Sequence, residues 1–337
     1  MIDVQELAQG PRAEPGRPGR ACPVGYYYGA EALRAASTQP SLETETLYVA
    51  GGLYGNLFAL EALLEIVARE PGARLVFNGD FNWFNIDAAD FRRINETVLG
   101  YPATRGNVET ELSVPGAGAG CGCGYPDWVG DDEVARSNRI MERLRKTATG
   151  QPSLTGRLGA LPMFLLARVG AARVGIVHGD ANSLAGWGFS QETLATPAGL
   201  SAASVGFDMA AVGVFASSHT CLPVLQSVAT AAGEGLLVNN GAVGMPNFHG
   251  HRYGLATRIS VRAPVGDVLY GAHEGNLHVH AVPVEYDTAA WERRFLEQWP
   301  VGSEGHISYF GRISEGPRYA VRQAMRAARQ TAEAESQ

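Results

Sequence analysis

Short apolar runs and helical repeats take turns through the first half of the chain. "LYVA" (47–50) and "RLVF" (74–77) are apolar almost throughout, which predicts strands buried on both faces. Between them "LFALEALLEIVARE" (57–70) leaves Glu61, Glu65 and Arg69 four residues apart, the period of a helix with one wet face, and Pro71-Gly72 ends it. A strand, a helix and a strand in that order predict a parallel pair with a crossover helix. "DAADFRRINETVL" (87–99) and "DDEVARSNRIMERLRKT" (131–147) read as further helices. The second carries its acids first and its bases last, as the helix dipole favours.

The second half is richer in strands. "MFLLARV" (163–169) and "ARVGIV" (172–177) predict an antiparallel hairpin about Gly170. "VGVFA", "GLLV", "GLATRISV" and "LHVHAVPV" follow as short strands between turn residues. The predicted class is α/β: a four-layer α-β-β-α sandwich of two mixed sheets packed face to face and flanked by helices. Residues 1–44 read as a partly disordered extension with a short helix at "AEALRAA", residues 45–286 as the principal domain, and residues 287–337 as a C-terminal helical extension ("WERRFLEQW", "RYAVRQAMRAARQ").

Four motifs end the apolar runs: Gly79-Asp80, Gly106-Asn107, His178-Gly179-Asp180 and Ser218-His219-Thr220. In α/β sheets, loops beyond the carboxyl ends of the strands gather chemistry, so a carboxylate, an amide and two imidazoles there predict a metal-phosphoester site. Taken singly, each is as readily a hydrogen-bonded core or surface residue; the ordered succession favours a site. Net charge is −7, so no global field draws the protein to nucleic acid or an anionic membrane. No long uncharged apolar run predicts a membrane span, and four cysteines in 337 residues are no disulfide framework, so a cytoplasmic location is expected.

From Leu47 to Tyr286 the order of these motifs resembles the calcineurin-like metallophosphoesterases, especially their small bacterial branch. The family's Asp-x-His-Gly-Asn, Gly-Asp, Gly-Asn-His, His-Gly, Gly-His-Thr-His and Asn-Pro-Gly-Ser-Val-Gly motifs have counterparts at Gly52–Asn56, Gly79-Asp80, Gly106-Asn107, His178-Gly179, Ser218–Cys221 and Asn239–Gly244. The resemblance implies Asp80, Asn107, His178 and His219 as ligands of one divalent ion (Mn, Fe or Zn) and as the catalytic group. A second ion would need side chains where Gly52, Tyr54 and Cys221 stand, so one ion is expected, with Cys221 kept as a possible soft ligand. Val108 occupies the position of a catalytic histidine in many relatives and cannot protonate a leaving group.

The expected activity is therefore hydrolysis of a phosphate ester, monoester or diester, by metal-activated water. The alternative is an inactive descendant that binds a phosphorylated ligand or a protein partner. "AGGLYG" (50–55) also approaches the dinucleotide fingerprint, but an oxidoreductase has no use for the later strand-end histidines. Tyr54, Asn56, Asn82, His249, His251 and Arg252 are candidate substrate contacts for a small phosphorylated molecule. Their bland readings are space filling, helix capping and solvated loop. Cys121 and Cys123 read either as a glycine loop with two unpaired thiols or as soft ligands that rebuild the lost half-site. His278 and His280 share one face of a strand, which suits a metal or a plain exposed sheet.

Overall fold

Alternation decides how the strands of this protein are used. The computed structural model describes residues 18–36, 39–114 and 119–326. In chain order the first strands are β1 (Leu42–Thr44), β2 (Thr46–Ala50), β3 (Arg74–Asn78), β4 (Ala103–Thr104), β5 (Phe164–Val169), β6 (Ala172–Val177) and β7 (Val214–Ser217). They are followed by β8 (Val224–Thr230), β9 (Gly233–Asn239), β10 (Gly254–Ser260), β11 (Tyr270–Glu274), β12 (Leu277–Val284) and β13 (Met325–Arg326). One sheet runs β1-β5-β6-β7-β9-β8-β13 and the other β11-β12-β10-β2-β3-β4. Both are mixed: β2, β3 and β4 are parallel in one, and β6, β7 and β9 in the other.

Leu47, Val49 and Val76 face between the sheets, where they meet Val174, Ile176, Val214 and Val238. Their neighbours Tyr48, Ala50, Leu75 and Phe77 face outward and pack under helices α2 (Leu57–Ala68), α3 (Ala88–Val98) and α5 (Asp131–Thr149). On the opposite outer face α1 (Ala30–Ala36) and α7 (Pro197–Ala210) cover Leu166, Phe215 and Leu237. Four layers result because every strand of the centre has an apolar residue on each side. The expected sandwich is the observed architecture.

The shorter helices α4 (Asn107–Ser113) and α6 (Pro152–Gly159) lie between α3 and β5 along the chain. Beyond β12 come α8 (Thr288–Gln298), α9 (Glu304–Glu315) and α10 (Val321–Ala324). Of "RYAVRQAMRAARQ", residues 318–326 are described, and they do not form the continuous helix expected there. Helix α10 covers four residues, and Met325 and Arg326 then pair with Leu225 and Gln226 of β8. Tyr319, Ala324 and Met325 are drawn onto the inter-sheet core, and this tertiary contact overrides helix propensity.

Most of the N-terminal stretch expected to be disordered lies outside the described residues. Arg20, at its end, is anchored: its guanidinium donates to the Pro126 and Val129 carbonyls and pairs with Asp131. No helix among the described residues is long and apolar enough to cross a membrane.

Candidate metal centre

The carboxyl ends of β2, β3 and β4 meet those of β6, β7 and β9, and the four motif residues project from loops at that junction. The junction is laced by backbone and side-chain bonds. Gly52 N donates to Gly79 O at 3.1 Å, and Ser218 N and His219 N both donate to His178 O at 3.1 and 2.9 Å. Asn78, the last residue of β3, ties the two sheets together. Its amide donates to Val177 O at 2.7 Å, and its carbonyl accepts from Ser218 Oγ at 2.9 Å. Gly106 is required by close approach: a Cβ there would lie 2.2 Å from Asp80 Oδ1.

His178 Nε2 lies 3.3 Å from Asp80 Oδ1, 3.3 Å from Asn107 Oδ1 and 3.2 Å from His219 Nδ1. Each group's remaining polar atom is engaged elsewhere. His178 Nδ1 is 2.9 Å from the Asn78 carbonyl, and His219 Nε2 is 2.9 Å from the Cys123 carbonyl. Asn107 Nδ2 donates to Cys121 O at 3.0 Å. Because carbonyls only accept, these contacts fix both tautomers: Nδ1 of His178 and Nε2 of His219 carry the hydrogens. With both imidazoles neutral, two lone pairs, an amide oxygen and a carboxylate oxygen converge with no donor among them. A positive species satisfies such a set: a metal ion or, in its absence, a proton on His178 Nε2. Asp80, His178 and His219 offer ligand atoms within 4.8 Å of one another, and all three side chains are buried.

The electrostatics agree. Burial disfavours the charged form of His178, but the Asp80 carboxylate outweighs it and holds the imidazole above its ordinary pKa. Burial likewise works against the Asp80 anion, and His178 reverses it, leaving the carboxyl below its usual range. His219, buried and beside His178, is pushed down to about 4 and stays neutral. The site stabilises positive charge at His178 Nε2.

The side where the resemblance would put another ion is filled. A Cβ on Gly52 would come within 2.9 Å of the Tyr54 ring, and the Tyr54 hydroxyl lies 2.8 Å from Cys221 Sγ. Burial pushes the Cys221 thiol pKa up, Arg312 only partly opposing it, and the sulfur also donates to His219 O at 3.2 Å. Cys221 therefore stands with the phenol, apart from the four converging ligands. Tyr54, Asp80 and Cys221 have φ of 52°, 55° and 62°, three of the four positive values at non-glycine residues among those described. Such backbone costs about 1–3 kcal/mol per residue and persists where the surroundings over-determine it, commonly at functional sites.

The other candidate contacts divide. Asn56 caps α2 by accepting from Ala59 N at 3.0 Å and donates to Gly244 O at 3.0 Å, so its amide is committed to structure. Asn82 is buried in a network with Asn85, Asn95 and Glu109. His249, His251 and Arg252 are exposed, and Arg252 pairs with Glu292. These five make no contact with the converging ligands among the described residues.

The pattern along the chain does not single out Glu109, yet it is central to the site. It is buried and accepts from the backbone N–H groups of Asp80, Phe81 and Gly106 at 2.8, 3.0 and 3.0 Å. It thereby holds the strained Asp80 turn, and burial followed by the Asp80 charge raises its carboxyl to about 7. A glutamate three residues into α4 after Gly106 is the visible sign of a cap, although not of this reach.

The sulfurs of Cys121 and Cys123 lie against each other, a pairing that the expectation of two unpaired thiols did not include. Spacing alone did not show that glycines at 120, 122 and 124, all with positive φ, would fold the two sulfurs together. The pair's sulfurs are not grouped with Asp80, His178 and His219 among the described residues. The pair's backbone carbonyls instead orient Asn107 and His219, and the Cys123 carbonyl also accepts from Trp187 Nε1 at 3.0 Å. Replacing both cysteines by serine is expected to weaken Mn binding by roughly tenfold, the effect of loosening partners behind the ligands. Calorimetric titration checks this, with Trp187 emission reporting movement of the loop.

Comparison with known structures agrees with the architecture. A metallophosphoesterase from Sphaerobacter thermophilus superposes over 81% of this chain and 100% of its own, with 17% identity and a TM-score of 0.51. A hypothetical protein from Pyrococcus horikoshii OT3 does so over 81% and 99%, with 16% identity and a TM-score of 0.53. No family model and no curated protein matches the sequence. The chain has the calcineurin-like metallophosphoesterase fold.

Proposed function

We propose that the protein is a metal-dependent phosphoesterase with a single ion held by Asp80, Asn107, His178 and His219. The observation that carries this reading is the convergence of Asp80 Oδ1, Asn107 Oδ1 and His219 Nδ1 to within 3.2–3.3 Å of His178 Nε2. The donor set of one carboxylate, one amide oxygen and two imidazoles suits Mn, Fe or Zn. Bound there, such an ion would supply activated water and polarise a phosphoryl oxygen.

The protein's own groups set the limits of the chemistry. Asp80 is the only anion among the four, and Val108 N–H steadies its Oδ1 at 3.2 Å. Asn78, Ser218 and the Cys123 carbonyl hold the imidazoles in the ligating tautomers. The side chain after Asn107 is valine, so no acid at that position protonates the departing oxygen. The reading therefore favours esters whose leaving group departs as an anion, such as aryl phosphates or aryl phosphodiesters.

The test is metal content together with turnover. Protein purified without chelator and reloaded with Mn is expected to retain one ion per chain and to hydrolyse p-nitrophenyl phosphate or its bis ester. Less than half an ion per chain, or no turnover of either ester with the ion bound, would reject an active phosphoesterase.

A further inference from the structure

The filled half of the centre has a cation of its own, supplied by the C-terminal extension. Helix α9 carries Tyr309 and Arg312 three residues apart, a spacing that puts them on one face. Tyr309 packs against Phe84 with ring centroids 4.9 Å apart. Arg312 Nη2 donates to Cys221 O at 2.7 Å, and its Nε donates to Pro246 O at 3.0 Å. The third contact of its fork is Asn247 Oδ1, 3.5 Å from Nη2. Nη1 donates to no group among the described residues. Two backbone carbonyls thus fix the guanidinium while one edge stays free.

Its relation to the ligands runs through the groups that link them. The Tyr54 hydroxyl and the Cys221 thiol are 2.8 Å apart, and both sense the charge of Asp80 as well as that of Arg312. Cys221, two residues after His219, links the groups: its sulfur meets the Tyr54 hydroxyl and the His219 carbonyl, and its own carbonyl holds Arg312. Asp80, His178 and Tyr54 are buried, whereas Cys221 and Arg312 are half-buried.

We propose that the free edge of Arg312, beside the Tyr54–Cys221 pair, is the subsite that receives the non-transferred oxygens of a phosphate ester. A fixed guanidinium there takes over the positive charge that another ion would bring. The proposal rests on the phosphoesterase reading and adds to it the group that binds the anion. A guanidinium suits the task because it stays charged at any working pH and offers parallel N–H groups to phosphate. Its anchorage to the Cys221 and Pro246 carbonyls means that little reorganisation is needed when the anion arrives.

Binding of inorganic phosphate to the Mn-loaded full chain, measured by calorimetry for the wild type, R312Q and R312K, tests the proposal. R312Q is expected to keep its Mn stoichiometry and lose phosphate affinity by roughly 10- to 100-fold, the worth of a charge-assisted contact. With p-nitrophenyl phosphate the loss should fall on kcat/KM, and R312K should recover part of it. Phosphate affinity in R312Q equal to the wild type overturns the proposal. Should R312Q not fold, R312K carries the test, and an affinity equal to wild type overturns it in the same way. A wild type that takes up no Mn rejects the underlying reading; Mn uptake with phosphate binding indifferent to Arg312 rejects only this subsite.

Discussion

D80N is expected to abolish Mn binding and to reduce phosphoesterase activity by roughly a thousandfold or more, since metal-assisted catalysis loses its only charged ligand. The substituted amide would keep the size of the side chain, and asparagine tolerates the left-handed backbone found at φ 55°, so the turn itself need not change. What disappears is the anion 3.3 Å from His178 Nε2. The clearest readout is thermal. Mn at a hundred times its dissociation constant should stabilise the wild type by about 2.7 kcal/mol and D80N by nothing measurable. The His178 imidazole, having lost its strongest support, should titrate lower in D80N, because only the Asn78 carbonyl and the Glu109 charge then oppose burial. An unchanged Mn-dependent shift in D80N would show that the converging ligands are not the metal site.

The second large effect is on the fold. Glu70 and Arg258 form a buried ion pair on the outer face of the second sheet, with side chains 5% and 1% exposed. Arg258 Nε donates to Glu70 Oε2 at 2.9 Å, and Tyr48 OH donates to the same oxygen at 2.8 Å. E70A would leave a buried guanidinium without its anion, which costs about 3–5 kcal/mol. Against a total stability of about 5–15 kcal/mol this should lower the urea midpoint markedly. The pH dependence has a definite sign. Burial alone would raise the Glu70 carboxyl, but Arg258 and the Tyr48 and Thr46 hydroxyls hold it below the ordinary carboxylate range. Its stabilisation is thus complete above the ordinary carboxylate pKa and is lost as pH falls through the depressed value. E70Q should flatten that acid limb. Equal midpoints for wild type and E70A at neutral pH would remove this pair from the account of stability.

The two-sheet sandwich was legible because its determinants are local. Leu47, Val49 and Val76 against Tyr48, Leu75 and Phe77 state in sequence that each strand is covered on both faces. The strand-end motifs were equally plain, since Asp80, His178 and His219 each follow an apolar run. Residues 318–326 misled for the converse reason: the edge of β8 and the inter-sheet core, both remote in sequence, decide their conformation.

Residue types and their order therefore determined the layers, the donor atoms and the absence of ligands at positions 52, 54 and 221. Tertiary structure decided what those missing ligands became. The phenol of Tyr54 closes over Gly52 and meets Cys221, the Cys123 carbonyl sets the tautomer of His219, and Arg312 arrives from a helix 91 residues beyond Cys221. A side chain's chemistry is fixed by its own residue type, but its partner across the cleft is chosen by how two sheets and a C-terminal helix pack, and no periodicity along the chain records that distance.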